Sequence, residues 1–112
     1  MKKFLVLYKA PLASFEQMMK ATPEQQKAGM DAWMAWSAKA GKSIVDLGAM
    51  LGKTLKVTPA GPSPTKNDLG GYSIMQGESK EAVAELMKGH PHFMTPDGFI
   101  EIVDLIPIPD AT

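Results

Sequence analysis

At 112 residues the chain has the length of one ordinary domain, and its 45% hydrophobic content is enough to build a core without staples. Lysine plus arginine balance aspartate plus glutamate at 12 each, which gives no reason to expect nucleic acid or an anionic membrane as partner, since those need a basic surface. No cysteine is present, which excludes disulfides, thiol nucleophiles and thiolate metal sites together.

The opening MKKFLVLYKAP has an apolar run too short for a signal peptide and lacks a small-residue cleavage site. Phe4 to Tyr8 reads instead as a strand covered on both faces and closed by Pro11. No stretch approaches the length of a membrane span, and the expectation is a soluble, cytoplasmic protein. Residues 12 to 21 suit a short helix with Ser14 as N-cap and Phe15, Met18 and Met19 on one face. The clearest signal follows. TPEQ at 22 to 25 offers Thr22 as N-cap, Pro23 at the first helical position and Gln25 as the partner of a capping box. The helix is expected to run to Ala40 and stop at Gly41. Gly29, Met30, Trp33, Met34, Trp36, Ser37 and Ala40 share one broad face; Lys27, Asp31, Ala35 and Lys39 lie opposite.

KSIVDLG reads as a second strand and turn, and KTLKVTPAG as a third strand or the return arm of a hairpin. PAGPSPTKNDLGG concentrates turn formers and reads as an exposed loop. GYSIMQG is the next strand. Ser79 caps a helix over KEAVAELMK, with Val83, Leu86 and Met87 facing inward and Gly89 ending it. GFIEIVDLIPI is the last strand, stopped by Pro107 and Pro109. The order β-α-β-(β)-β-α-β predicts a ferredoxin-like α+β sandwich, 1–112 as one domain, with an antiparallel sheet and its helices on one face. Leu5 and Leu7 are as apolar as Phe4, Val6 and Tyr8, and two helices cannot cover both faces. A homodimer with free sheet faces packed together is therefore expected.

Chemistry-bearing residues are few. GHPHF at 89 to 93 holds both histidines. With Pro91 between them His90 and His92 are expected to project apart, so that a shared metal ion needs a turn at the proline, and zinc needs at least three protein ligands. Asp97 is a possible third, but no HxxxH or HExxH spacing occurs, so a metal site is disfavoured. Two readings remain. Gly89, a histidine near the negative helix end, then Pro91 make a good helix stop, with Phe93 anchoring the loop. Alternatively one histidine lines a pocket as acid, base or donor. Asp46, inside SIVDLG, is either a solvated turn acid or a pocket acid that orients a histidine and raises its pKa. Trp33 and Trp36 read as core. Nine methionines suggest adaptable packing or a tolerant pocket, with Tyr8 and Tyr72 offering hydroxyls. No GxxxxGK[ST], GxGxxG or GxSxG is present, and no cofactor is implied.

KKFLVLYKAP, TPEQQKAGMDAWMAWSAKAGKSIVDLGAMLG, GGYSIMQGESKEAVAELMKGHPHF and GFIEIVDLIPI together resemble the YCII-related proteins over nearly the whole chain. GGYSIMQGESKEAVAELMKGHP is the most specific segment. The resemblance implies a ferredoxin-like domain that dimerises sheet to sheet, the dimeric α/β barrel, with a cleft between sheet and helices near the seam. Some relatives use a His-Asp pair there, and some similar barrels are isomerases or lyases of small ring-derived acids. Here the family's histidine position holds Met30, and its aspartate position holds His90 before Pro91. Three expectations follow. The first is a binding protein for a small apolar or acidic molecule near Trp33, Trp36, Tyr72, His90, His92 and Phe93. The second is an enzyme of isomerase or lyase type, with His90 as acid or base and Asp46 as its orienter. The third is a structural or interaction module without a ligand site. A cleft filled by the tryptophans favours the third; an open cleft lined by His90 favours the first two.

Overall fold

The computed structural model describes residues 1–108. Nine regular elements follow one another: β1 (Lys2–Lys9), α1 (Leu12–Met18), α2 (Pro23–Ala40), β2 (Ile44–Met50), β3 (Thr54–Thr58), β4 (Gly61–Thr65), β5 (Leu69–Gly77), α3 (Lys80–Glu85) and β6 (Phe99–Asp104). Short 3-10 turns at Gly41–Ser43 and Pro91–Met94 precede β2 and follow α3.

The main sheet runs in the order β2-β5-β1-β6, antiparallel throughout. With the β3–β4 ribbon set aside as an insertion, this is the ferredoxin-like arrangement: the first and third strands are central and the second and fourth form the edges. The fold class is therefore α+β, as the alternating elements predict.

Strand alternation decides the two faces. Phe4, Val6 and Tyr8 of β1, Ser73 and Met75 of β5, and the partly buried Ile100 and Ile102 of β6 face the helices. Val83 and Met87 close over them from α3 and the turn after it, and Trp36 and Ala40 from α2. The opposite face carries Leu5, Leu7, Tyr72 and Ile74, with Phe99 and Val103 substantially exposed. Cross-strand pairs Leu5–Val103 and Leu7–Tyr72 make much of it apolar, with Glu101 opposite Leu7 and ion-paired to Lys9 at one end.

The long helix begins and ends where its local signals sit. Gln25 N–H donates to Thr22 Oγ1 at 3.1 Å, and Thr22 N–H donates to Gln25 Oε1 at 2.9 Å, completing the box. Gly41 terminates it. Its buried stripe is narrower than the sequence implies, because Met30 and Met34 are each 60% exposed. Ser79 caps α3 by accepting from Ala82 N–H at 3.1 Å.

Several expectations are corrected. Ser14 does not cap α1: Pro11 precedes the helix, and Ser14 lies inside it with its side chain buried. Met18 at the end of that helix and Met19 just beyond it are exposed. The stretch read as an open loop contains β4, whose Pro62 and Pro64 pair with Val57 and Leu55. Proline cannot donate to a ladder, but it fits an edge strand where its nitrogen points outward, and alternate positions place both there. Gly70 and Gly71 belong to β5 rather than to a turn. The last strand stops at Asp104, so Pro107 lies beyond it, and Pro109 lies outside the described residues.

Candidate functional site

The histidines come together through backbone chemistry. After α3 the chain passes Gly89 at φ +71°, a left-handed position that glycine occupies without a Cβ penalty. His90 N–H donates to the Met87 carbonyl at 3.0 Å, closing the helix stop. The segment then winds as a 3-10 turn rather than extending. The expectation of opposed side chains fails, and it misjudged the extended case too, since residues two apart in a strand share a side. Both histidines turn inward, His90 1% exposed and His92 7%, and both lie against Tyr8, with ring centroids 5.0 and 5.6 Å away.

His90 sits in an aromatic box. Tyr8 stacks on it with 26° between planes. Trp36 and Trp33 meet it edge-on, at centroid distances of 4.3 and 4.6 Å. Each such pair contributes about 0.5–1.5 kcal/mol beyond area burial. Three elements supply the box: β1 gives Tyr8, α2 gives both tryptophans, and the turn after α3 gives His90. Trp36 is fixed further by its Nε1–H, which donates to the Leu86 carbonyl at 2.9 Å. Trp33 has no such bond and is only half-buried.

Hydrogen bonds specify the tautomers. His92 N–H donates to His90 Nδ1 at 2.9 Å, so neutral His90 carries its proton on Nε2. That buried N–H has no hydrogen-bond partner. His92 Nε2 lies 2.8 Å from the Lys9 carbonyl, an acceptor only, so His92 donates from Nε2. Burial, with a smaller contribution from the neighbouring His92, lowers the His90 pKa from 6.5 to about 4. His90 is therefore neutral at pH 7 and a weak base. Below it, Tyr8 Oη–H donates to Ser73 Oγ at 2.9 Å, and Ser73 Oγ–H donates to the Leu47 carbonyl at 2.6 Å. Burial raises the Tyr8 pKa, opposed by the Ser73 hydrogen bond. Tyr8 is thus a neutral donor at pH 7.

The expected site residues do not all come together. His90, His92, Trp33 and Trp36 meet on the helix side of the sheet. Tyr72 alternates with buried Gly71 and Ser73 and so belongs to the opposite, uncovered face. Phe93 is half exposed. Asp46 does not join His90. It is exposed on edge strand β2, and its Oδ1 accepts from Gly48 N–H at 2.8 Å in a local turn. That turn belongs to a strand irregularity in which Gly48 takes φ +82°, and a Cβ there would strike the Tyr72 carbonyl. Asp97, the possible metal ligand, is exposed in a left-handed turn. No group of three or more His, Cys, Asp or Glu positioned to hold a metal occurs among the described residues.

Sequence reading missed Ser73 and the Leu47 carbonyl altogether and underrated Tyr8. The strict alternation Phe4-Val6-Tyr8 already put the tyrosine on the core side, where its hydroxyl required a partner.

No helix among the described residues is long and apolar enough to cross a membrane. No protein-family model matches the chain, and no curated protein matches it. Among solved structures it is similar to 5-chloro-2-hydroxyhydroquinone dehydrochlorinase (TftG) from Burkholderia phenoliruptrix AC1100, in complex with 2,5-dihydroxybenzoquinone. The identity is 19% and the TM-score 0.47, over 88% of this chain and 90% of that one. At that similarity the fold reading rests on the strand order above.

Proposed function

We propose that this chain is a YCII-related homodimer, joined through its sheet faces, that binds a small, mostly apolar molecule beside His90. Two observations support the family and the dimer: the strand order expected of the resemblance, and the uncovered surface of Leu5, Leu7, Tyr72, Ile74, Phe99 and Val103. A monomer leaves that surface in water; a twofold copy buries it.

The observation that carries the binding reading is the buried, unpartnered Nε2–H of His90. Leaving such a donor unsatisfied costs about 1–3 kcal/mol, and aromatic rings are weak acceptors. A ligand presenting a carbonyl or similar uncharged oxygen satisfies it. Trp33, half-buried and without the hydrogen bond that holds Trp36, is the wall that moves to admit the ligand. The ligand is uncharged at its tip because the box offers no compensating cation.

A second reading has its own support. His90 and Trp36 are packed nearly out of water, and a filled cleft suits a structural module without a ligand site. The enzyme reading loses support, because Asp46 is engaged elsewhere and a histidine with a pKa near 4 makes a poor general base at neutral pH.

The test is an NMR measurement of the His90 Nε2 resonance while small aromatic ketones and quinones are titrated against wild type and Trp33→Ala. Saturable shifts at Nε2, with stronger binding to Trp33→Ala, are expected. No shift in either protein assigns the cluster to the structural role.

A further inference from the structure

Asp46 does not touch the His90 box, yet a series of hydrogen bonds joins the two. It starts at an irregularity in edge strand β2. Asp46 pairs with Ile74 and Ala49 with Tyr72, so three steps along β2 answer two along β5. The extra residue is a bulge, and Ser73 has no Cα partner on β2 there.

At the bulge one peptide unit is held from both ends. Its N–H belongs to Gly48 and donates to Asp46 Oδ1 at 2.8 Å. Its carbonyl belongs to Leu47 and accepts from Ser73 Oγ–H at 2.6 Å. In a trans peptide these two groups point in opposite directions. The unit therefore reaches from exposed Asp46 to Ser73, which is 0% exposed. Gly48, at φ +82°, has no side chain to fix the plane. A rotated plane would carry the Leu47 carbonyl away from Ser73, and Asp46 opposes that rotation by holding the N–H.

From Ser73 the series enters the core. A serine hydroxyl has one hydrogen, and the Leu47 carbonyl takes it. The Ser73 oxygen is then an acceptor, and Tyr8 Oη–H donates to it at 2.9 Å. Hydrogen bonds in series strengthen one another, most where water is excluded, and Tyr8 is only 3% exposed. Stacking on His90 at 5.0 Å sets the plane of the Tyr8 ring. The hydroxyl bond sets where the ring lies within that plane, and so how it meets His90 and the edge of Trp33, 4.9 Å away.

We infer that Asp46 is a positioning residue of the His90 box, acting through the Leu47–Gly48 peptide unit, Ser73 and the Tyr8 hydroxyl. This deepens the reading of that box as a binding site and rests on it. What the series needs at position 46 is an acceptor oxygen, which asparagine keeps and alanine lacks.

The experiment records NMR spectra of the free chain for wild type, Asp46→Ala and Asp46→Asn, with Thr22→Ala as a variant weakened at the far end of α2. Two signals are read. One is exchange of the Tyr8 hydroxyl proton with water. The other is the set of carbon-bound ring protons of His90, which feel the ring current of Tyr8. Asp46 is exposed, so its variants keep the fold, which tryptophan fluorescence verifies. In Asp46→Ala the hydroxyl proton should exchange about tenfold faster, as for the loss of one hydrogen bond, and the His90 signals should be displaced. Asp46→Asn should return both close to wild type, and Thr22→Ala should leave the His90 signals in place. In a Tyr8→Phe chain, which lacks the last bond of the series, adding Asp46→Ala should not move the His90 signals. Unchanged signals in Asp46→Ala overturn the proposal. So does an equal displacement with and without the Tyr8 hydroxyl, or an Asp46→Asn chain that behaves like Asp46→Ala. Both signals come from the free chain, so they decide the role of Asp46 whether or not a ketone or quinone binds.

Discussion

Replacing His90 by leucine should remove a pH dependence of stability that the histidine imposes. The folded chain holds this imidazole at a pKa of about 4, against 6.5 for the ordinary side chain, mainly because burial disfavours the charged form. Above pH 6.5 both folded and unfolded chains carry it neutral, and it adds no pH dependence. As pH falls below 6.5 the unfolded chain takes up a proton that the folded chain refuses, so stability falls. The decline continues to about pH 4, below which both states are protonated and the loss is complete. At 1.36 kcal/mol for each pH unit between those values, the full loss is about 3 kcal/mol, of which roughly 1 kcal/mol is gone by about pH 5.5. That is a large share of the ~5–15 kcal/mol that stabilises a typical domain. The assay is urea unfolding followed by tryptophan fluorescence, near pH 7, 5.5 and 4, on wild type and His90→Leu. The variant also strands the His92 N–H, which costs about 1–3 kcal/mol at every pH. The informative quantity is therefore the difference between the two pH slopes. Parallel slopes refute the placement of His90 as a buried neutral group.

Trp36→Phe removes the Nε1–H bond to the Leu86 carbonyl and should cost about 1–2 kcal/mol in urea unfolding; Trp33→Phe, with no such bond to lose, should cost less. Gly48→Ala forces a side chain into a left-handed position against the Tyr72 carbonyl, and a melting-temperature drop matching at least about 1–3 kcal/mol is expected. Thr22→Ala opens the capping box of α2 and should destabilise by about 1 kcal/mol, with Thr22→Ser recovering most of it. Tyr8→Phe leaves Ser73 still donating to the Leu47 carbonyl, so a loss of only about 0.5–1.5 kcal/mol is expected by the same urea assay.

Local chemistry determined much of this molecule. The bounds of α2 follow from Thr22, Pro23, Gln25 and Gly41, because a cap and a stop act within one turn of chain. The core side of β1 follows from Phe4, Val6 and Tyr8, because strand side chains alternate without regard to context. The order of strands and helices was enough to reach a ferredoxin-like sheet. Tertiary structure alone decided the rest. Pro62 and Pro64 look like loop formers until a register puts their nitrogens on an outer edge. His90 and His92 would share a side in an extended strand as well, but whether that side faces water or the core is set only when Gly89 and Pro91 wind the segment into a tight turn that carries both onto Tyr8. Asp46 and Tyr72 drop away from the histidines because they sit on the exposed edge and the uncovered face of the sheet, and pattern alone does not say which side of the sheet the helices cover. The aromatic box needs Tyr8, Trp33, Trp36 and His90 from three elements, and their convergence is a property of packing across the sheet, which no short stretch of sequence contains.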